Sequence, residues 1–375
     1  MPDQKLFLRI NDLLLRYCKG QPEDVRKNLA LLVVGLFLGR HVQLWEIALW
    51  VPVPIQLTSI VRRFERFLAN PAVDVTKLFE PFVNAMLLSL GNETVYLVLD
   101  CTQAGRKCRT LLATLAYNYT ALPLAWKTIK GKKGHVTGEV QKALLEQVQP
   151  YLRPYRHVIV LGDAEFSNAT VLTWLQDTAH WDFVMHTRGA NLVRTADDPA
   201  WQPVQELWDT SDLQPGQVQH WPTIAFTQEH QLPDLTLTIQ WAIDQKEPLF
   251  LISNLPVDRQ PQVIYERRFW IETLFGNAKS RGFELARTHL IDPAHIDRLI
   301  LAIAIATHVT LGLGTQLVLD KQTHWVDRSD RRDLSLFQLG WRWLYRLLAL
   351  NRLPMLKLTF CWDLHLPEAG FQPAK

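Results

Sequence analysis

The 375-residue chain reads as an α/β protein, with a mixed core, a β-rich insertion and helical regions at both ends. Three observations predict this. Two apolar runs, Val95-Tyr96-Leu97-Val98-Leu99 and His157-Val158-Ile159-Val160-Leu161-Gly162, read as strands buried on both faces, and an aspartate follows each. Helical spacing dominates residues 1–90 and returns after residue 256. Between residues 189 and 255 that spacing disappears. Prolines accumulate there, and Trp201, Trp208, Trp221 and Trp241 accompany alternating runs such as Leu235-Thr236-Leu237-Thr238-Ile239.

Composition narrows the class. A hydrophobic share of 48% and a charged share of 21% fit a soluble globular protein with room for more than one domain. The net charge of +3 is small, so any grip on nucleic acid must come from local patches. Cys18, Cys101, Cys108 and Cys361 form no CxxC pair, so neither a structural zinc site nor a disulfide framework is implied. The start Met1-Pro2-Asp3-Gln4-Lys5 does not resemble a signal peptide. Leu299 to Leu319 is apolar enough to imitate a membrane span. His308, three threonines, Gln316 and two glycines make it read as a buried core helix, as does Leu29 to Leu38. A cytoplasmic protein without a membrane partner is expected.

The elements follow in order. In residues 1–90, Val42 to Trp50 is a short amphipathic stretch that Val51-Pro52-Val53-Pro54 stops. Thr58 or Ser59 can cap a second helix through Leu68, which carries Arg62, Arg63 and Arg66. Helix, break and basic helix is the outline of a helix-turn-helix DNA reader. An ordinary helical hairpin with an exposed arginine face has the same outline. Residues 91–188 form the first part of the core: strand-like runs at Val95–Leu99, Arg109–Tyr119 and Leu122–Ile129, a helix over Gly138–Leu152, the strand ending at Asp163, a helix over Asn168–Asp177 and a strand over Phe183–Thr187. Within them, Lys127 to His135 is a cationic loop in which Lys130, Lys132 and Lys133 can meet phosphates and Gly131 and Gly134 keep the backbone open. A solvated hairpin turn reads the same way. The insertion occupies 189–256 and closes on Leu249-Phe250-Leu251-Ile252-Ser253-Asn254. Residues 257–315 complete the core, and 316–375 form a helical end. There Trp341 to Leu350 is an aromatic, basic helix suited either to a contact between chains or to the core.

The chemistry concentrates in Tyr265-Glu266-Arg267-Arg268-Phe269-Trp270-Ile271-Glu272-Thr273-Leu274-Phe275-Gly276-Asn277-Ala278-Lys279. At about 100° per residue on a continuous α-helix, Tyr265, Arg268, Glu272 and Lys279 fall within roughly 60° of one another. One helix edge then carries a carboxylate, two cations and a phenol, while Ile271, Leu274, Phe275 and Ala278 pack inward. Asp100 and Asp163 stand at the C-terminal ends of their strands, where open sheets bind ligands. If those strands are neighbours, both face one cavity and Glu272 completes the set. Three carboxylates are hard oxygen ligands, suited to Mg²⁺ or Mn²⁺ rather than zinc. Taken singly, each aspartate could equally be a loop residue capping a turn.

This pattern resembles the DDE transposases of the insertion-sequence-four family, the Tn-ten- and Tn-five-like group, from about Tyr96 to His289. The carriers are the Y-x2-R-x3-E-x6-K spacing, Leu99-Asp100, Leu161-Gly162-Asp163-Ala164-Glu165-Phe166, and the strand and turn from Leu249 to Pro256. The resemblance implies an RNase H-like core in which Asp100, Asp163 and Glu272 hold two Mg²⁺ ions, with Mn²⁺ able to substitute. It implies that Tyr265, Arg268 and Lys279 grip DNA near the cleaved end. It implies a DNA transposase that cuts transposon ends and joins them to target DNA, acting as a homodimer at the nucleoid of a prokaryotic cell. A nuclease of the same fold without strand transfer, or a non-catalytic DNA-binding relic, are the alternatives. The chain departs from hairpin-forming members, which place a tryptophan near the end of the insertion. The comparable stretch here offers Leu249 and Phe250, with Trp241 earlier.

Overall fold

The computed structural model describes residues 2–91, 94–131, 136–155 and 157–366. Five helices open the chain: α1 (Pro2–Tyr17), α2 (Glu23–Gly39), α3 (Leu44–Ala48), α4 (Leu57–Ala69) and α5 (Val75–Leu90). Their apolar stripes drive the packing. On α1, Leu6, Ile10, Leu13 and Leu14 follow helical spacing and are fully buried. α3 ends at Ala48, ahead of the prolines and short of the expected Trp50. The expected cap of α4 does not form: Gln56 holds that position without a side-chain bond, and Thr58 and Ser59 lie inside the first turn.

One sheet of ten strands organises the rest. It comprises β1 (Val95–Gln103), β2 (Cys108–Tyr117), β3 (Thr120–Lys130), β4 (Val158–Gly162), β5 (Asp182–His186), β6 (Leu192–Arg194), β7 (Gln202–Pro203), β8 (Val218–Phe226), β9 (Leu232–Gln240) and β10 (Leu249–Ser253). The spatial order is β3-β2-β1-β4-β5-β10-β9-β8-β6-β7. β1, β2 and β3 form an antiparallel meander. β4 runs parallel to β1, and β5 runs parallel to β4. The right-hand half is antiparallel throughout.

The β-rich stretch continues the main sheet, because β10 pairs directly with β5. One expectation changes here: β1 does not stop at Asp100. Its ladder with β2 runs on through Cys101↔Leu111 to Gln103↔Arg109, so cross-strand pairing carries the strand past the aspartate.

Helices α6 (Gly138–Leu152) and α7 (Ala169–Thr173, continued as a π-helical turn through Ala179) lie between the core strands, α8 (Val204–Asp209) within the β-rich part. The expected helix over Gly138–Leu152 appears with those bounds. After β10 come α9 (Pro261–Tyr265), α10 (Trp270–Gly276), α11 (Pro293–Leu319) and α12 (Leu336–Ala349). α11 is long and apolar enough to cross a membrane, but 94% of its most apolar window is buried inside the protein. It packs on β3, α2, α4, α5 and α12. His308 is fully buried and donates Nε2–H to the Pro123 carbonyl at 3.0 Å, and burial holds its pKa down at about 4, so the ring stays neutral. α11 and α12 cross so closely that a Cβ at Gly340 would overlap the Thr310 carbonyl. Trp341 on α12 is 6% exposed and stacks among Phe37, Phe283 and Phe337, so that face belongs to the core rather than to a contact between chains.

Candidate active site

The parallel pairing of β1 and β4 sets the site. Leu99 pairs with Gly162, so Asp100 and Asp163 stand side by side one step further along. Both strands are apolar up to these positions, and that fixes where the carboxylates emerge. Asp100 is inside its strand and its side chain is 11% exposed. Its Oδ1 accepts the Cys101 N–H at 2.6 Å. Asp163 lies just past its strand and its side chain is 37% exposed. Its Oδ1 accepts the Glu165 N–H at 2.9 Å, closing a tight turn.

The third carboxylate arrives on the segment after β10, which is not one continuous α-helix. α9 gives way to a 3₁₀ stretch at Glu266–Phe269, then α10, then a π-helical turn at Asn277–Arg281. The four polar residues are therefore not placed by a uniform 100° step. Mixed helical geometry recurs where functional side chains must be re-aimed. Here it turns Arg268 inward.

Arg268 is the hub. Its Nη2 lies 2.9 Å from Asp100 Oδ2 and 3.8 Å from Asp163 Oδ2, and its Nη1 lies 3.0 Å from Glu272 Oε1. The guanidinium side chain is 12% exposed, and its Nε is buried without a partner. Burial pushes the Asp100 carboxyl up to about 6, and the Arg268 charge opposes that rise. Burial acts to lower the Arg268 value, but Asp100, Tyr265, Asp163 and Glu272 together hold it above the ordinary one. The three acids are thus arrayed around an arginine. Among the described residues no three acidic, histidine or cysteine side chains form a ready metal-binding group.

The other expected residues divide. Tyr265 is 3% exposed and packs edge-on against Phe269, so the phenol is buried rather than open to a phosphate. Burial pushes its pKa up. Lys279 is partly buried, with Nζ 5.5 Å from the Phe275 ring centroid, and burial lowers its pKa while Asp100 and Cys101 oppose this. Lys130 ends β3 and is exposed, whereas Lys132 and Lys133 lie outside the described residues. Arg62 and Arg66 are exposed on α4. Arg63 is partly buried and its Nε donates to Asn28 Oδ1, so it is tied into the helical packing. Trp241 stacks edge-on against Trp208 at 5.4 Å, and its Nε1 donates to the Gln245 carbonyl.

Sequence reasoning missed two residues. His186 follows Met185, which pairs with Gly162, so it stands beside Asp163. Burial lowers its pKa while Asp163 opposes that fall. The signal was its position near the end of a third buried strand. Glu165, two residues past Asp163, is partly buried, its side chain 11% exposed and paired with Arg109. Its signal was an acidic residue set among the apolar positions of the second motif.

Residues 94–308 match the family model described as "Transposase DDE domain". No curated protein matches the chain. Among solved structures, the chain is similar to the cryo-EM structure of piggyBac transposase in a synaptic complex with hairpin DNA, at 14% identity and a TM-score of 0.42, covering 94% of this chain and 80% of that one.

Proposed function

The chain belongs to the transposase DDE domain family, and on that premise we propose that it cuts the ends of a DNA element and joins them to target DNA at the Asp100, Asp163 and Glu272 cluster. The single observation that carries this reading is the convergence of three carboxylates, from β1, the turn after β4 and α10, on the one guanidinium of Arg268. Acids gathered from distant parts of a chain into a partly buried cluster cost desolvation, and active sites are where such clusters recur. The order β3-β2-β1-β4-β5, antiparallel then parallel, supports an RNase H-like core, and Tyr265, Arg268, Glu272 and Lys279 keep the insertion-sequence-four spacing.

The donor set fits divalent cations: three hard oxygen donors that already share a single cationic partner. Asp100, Asp163 and Glu272 would hold Mg²⁺, or Mn²⁺ in its place, and two such ions supply activation of the attacking oxygen and stabilisation of the leaving one. Arg268 engages one oxygen of each carboxylate, so lone pairs remain that could ligate a cation, and its planar fork would stand beside a DNA phosphate at the cut. Lys279, near Asp100, neutralises charge on the same strand. Lys130 and exposed Arg62 and Arg66 contribute phosphate contacts further out. Two ends must be cut in concert, so two copies of the chain act together.

The test uses purified protein, Mg²⁺, labelled DNA carrying the element's own ends and a target plasmid, with Glu272→Gln alongside. Joined product from the wild type alone supports transposition at this site. Nicking without joining would reduce the activity to a nuclease, and binding without cutting would remove catalysis altogether.

A further inference from the structure

The Asp163 turn rests on a partly buried polar network that the catalytic reading does not use. Glu165 is its centre. One carboxylate oxygen, Oε1, accepts the Val136 N–H at 2.6 Å, and Oε2 lies 3.3 Å from Arg109 Nη2 on β2. Fully buried Gln141 on α6 donates Nε2–H to the Val136 carbonyl at 3.0 Å and to the Glu165 carbonyl at 3.2 Å. Its Oε1 accepts from Asn168 Nδ2 at 2.7 Å, and that Asn168 amide also reaches the Glu165 carbonyl at 3.2 Å. Asn168 Oδ1 then caps α7 through the Val171 N–H. Three elements, β2, the entry to α6 and the start of α7, thereby close on one residue.

That residue's own N–H is the donor that holds Asp163 Oδ1 at 2.9 Å. The loop is short, with the Phe166 N–H returning to the Asp163 carbonyl at 2.9 Å. Moving Glu165 therefore moves the atom that aims the Asp163 carboxylate. A carboxylate at this depth costs desolvation unless it is fully engaged. Both of its oxygens are engaged. A residue serving only to fill space would be apolar here.

We propose that Glu165 is a positioning residue: its side chain clamps the Asp163 turn against β2 and the entry to α6, and so fixes the direction of the Asp163 carboxylate. It touches no reacting group itself. The proposal rests on the function argued above for what the site cuts, but its structural half does not. Groups that orient a metal-binding carboxylate are commonly worth about 10–100-fold in affinity or rate when removed.

The experiment compares Glu165→Ala, Glu165→Asp and Glu165→Gln with the wild type in three readouts. In single-turnover cleavage of end-bearing DNA, Ala and Asp are expected to lose about 10–100-fold in maximal rate with half-saturating DNA concentration little changed. Gln, which keeps an acceptor for the Val136 N–H, is expected to recover most of that rate. In Mn²⁺ titration by calorimetry, Ala and Asp are expected to bind about tenfold or more weakly. In amide hydrogen exchange, segment 163–168 is expected to exchange faster in both, with α11 unchanged. Asp keeps the charge but not the reach, so it serves where Ala fails to fold. Wild-type rate, Mn²⁺ affinity and exchange in the Asp variant would overturn the proposal. A wild type that cuts no DNA, with exchange still faster in the Asp variant, would sink the function argued above and leave the clamp standing.

Discussion

Asp100 and Asp163 occupy neighbouring positions on parallel strands, yet they differ in burial and in how closely Arg268 approaches. Asp100 is inside β1, nearly closed off, and its charge is balanced by Arg268 at 2.9 Å. Asp163 stands outside β4, more than a third of its side chain exposed, and is aimed by a backbone N–H within its own turn. Both accept a nearby backbone N–H on Oδ1, but Asp100 adds a close counter-charge from far along the chain, whereas Arg268 stands 3.8 Å from Asp163. The difference teaches that a cluster of like charges need not be stabilised uniformly. The buried member carries the electrostatic cost, and the exposed member carries the geometric requirement.

The largest expected effect treats the two alike. Asp100→Asn, Asp163→Asn and Glu272→Gln should each lower the cleavage rate by about 10³-fold or more while leaving DNA binding largely intact. A rate assay beside a binding assay checks this, and two variants cutting at the wild-type rate would remove the cluster from the chemistry. Stability should separate the pair. Breaking a buried charge pair by removing one partner costs about 3–5 kcal/mol, so Arg268→Ala should lower the melting temperature by many degrees at neutral pH. Adding Asp100→Asn to it should restore most of the loss, whereas adding Asp163→Asn should restore little. Equal rescue by both would show that the two aspartates are not held differently after all.

The pH dependence sharpens the same contrast. Burial raises the Asp100 carboxyl to about 6 despite Arg268. A carboxyl whose folded pKa lies above its unfolded one adds stability at low pH, and that contribution is lost as pH rises through the folded value. Wild-type melting temperature, relative to Asp100→Asn, should therefore fall as pH is raised through about 6. Thermal melts of the metal-free wild type and Asp100→Asn across this range check it, and a difference between them that does not change from the ordinary carboxylate range up to about 6 would contradict the burial of Asp100.

How much of this was legible in the sequence follows from where each constraint acts. The apolar runs before Asp100 and Asp163 reported buried strands, because a strand covered on both faces leaves an unbroken hydrophobic signature. The α6 bounds were legible for the same local reason: its apolar spacing begins just past Thr137. What pairing decides was not legible. β1 runs past Asp100 because β2 continues to bond it, and the β-rich stretch joins the main sheet because β10 finds β5. Neither partner is written beside the residue it pairs with. The segment from Tyr265 to Lys279 shows the same limit inside a single motif. Its spacing implied one helix face, but the segment changes from α to 3₁₀ to α to π geometry, Tyr265 lies in the core and Arg268 lies on the acids. The site residues were legible by type, and their surroundings were not.

The smallest expected effects lie away from the cluster, on α4. Arg62 and Arg66 are exposed there, while Arg63 is bonded to Asn28. If this helix touches DNA, exposed and tied arginines should differ as the two aspartates do. Arg62→Ala with Arg66→Ala should leave the melting temperature within a degree or two, since surface substitutions usually change stability by about 0.5 kcal/mol or less. The pair should weaken binding to end-bearing DNA and flatten its salt dependence by about one unit of slope for each phosphate that is no longer neutralised. Arg63→Ala should do the reverse, lowering stability because its bond to α2 is gone, with little change in the salt slope. Binding measured across a salt series, with thermal melts of the same preparations, resolves the two cases. An unchanged slope in the double variant would leave α4 as an ordinary packed helix with a solvated face and would place recognition of the ends elsewhere in the chain.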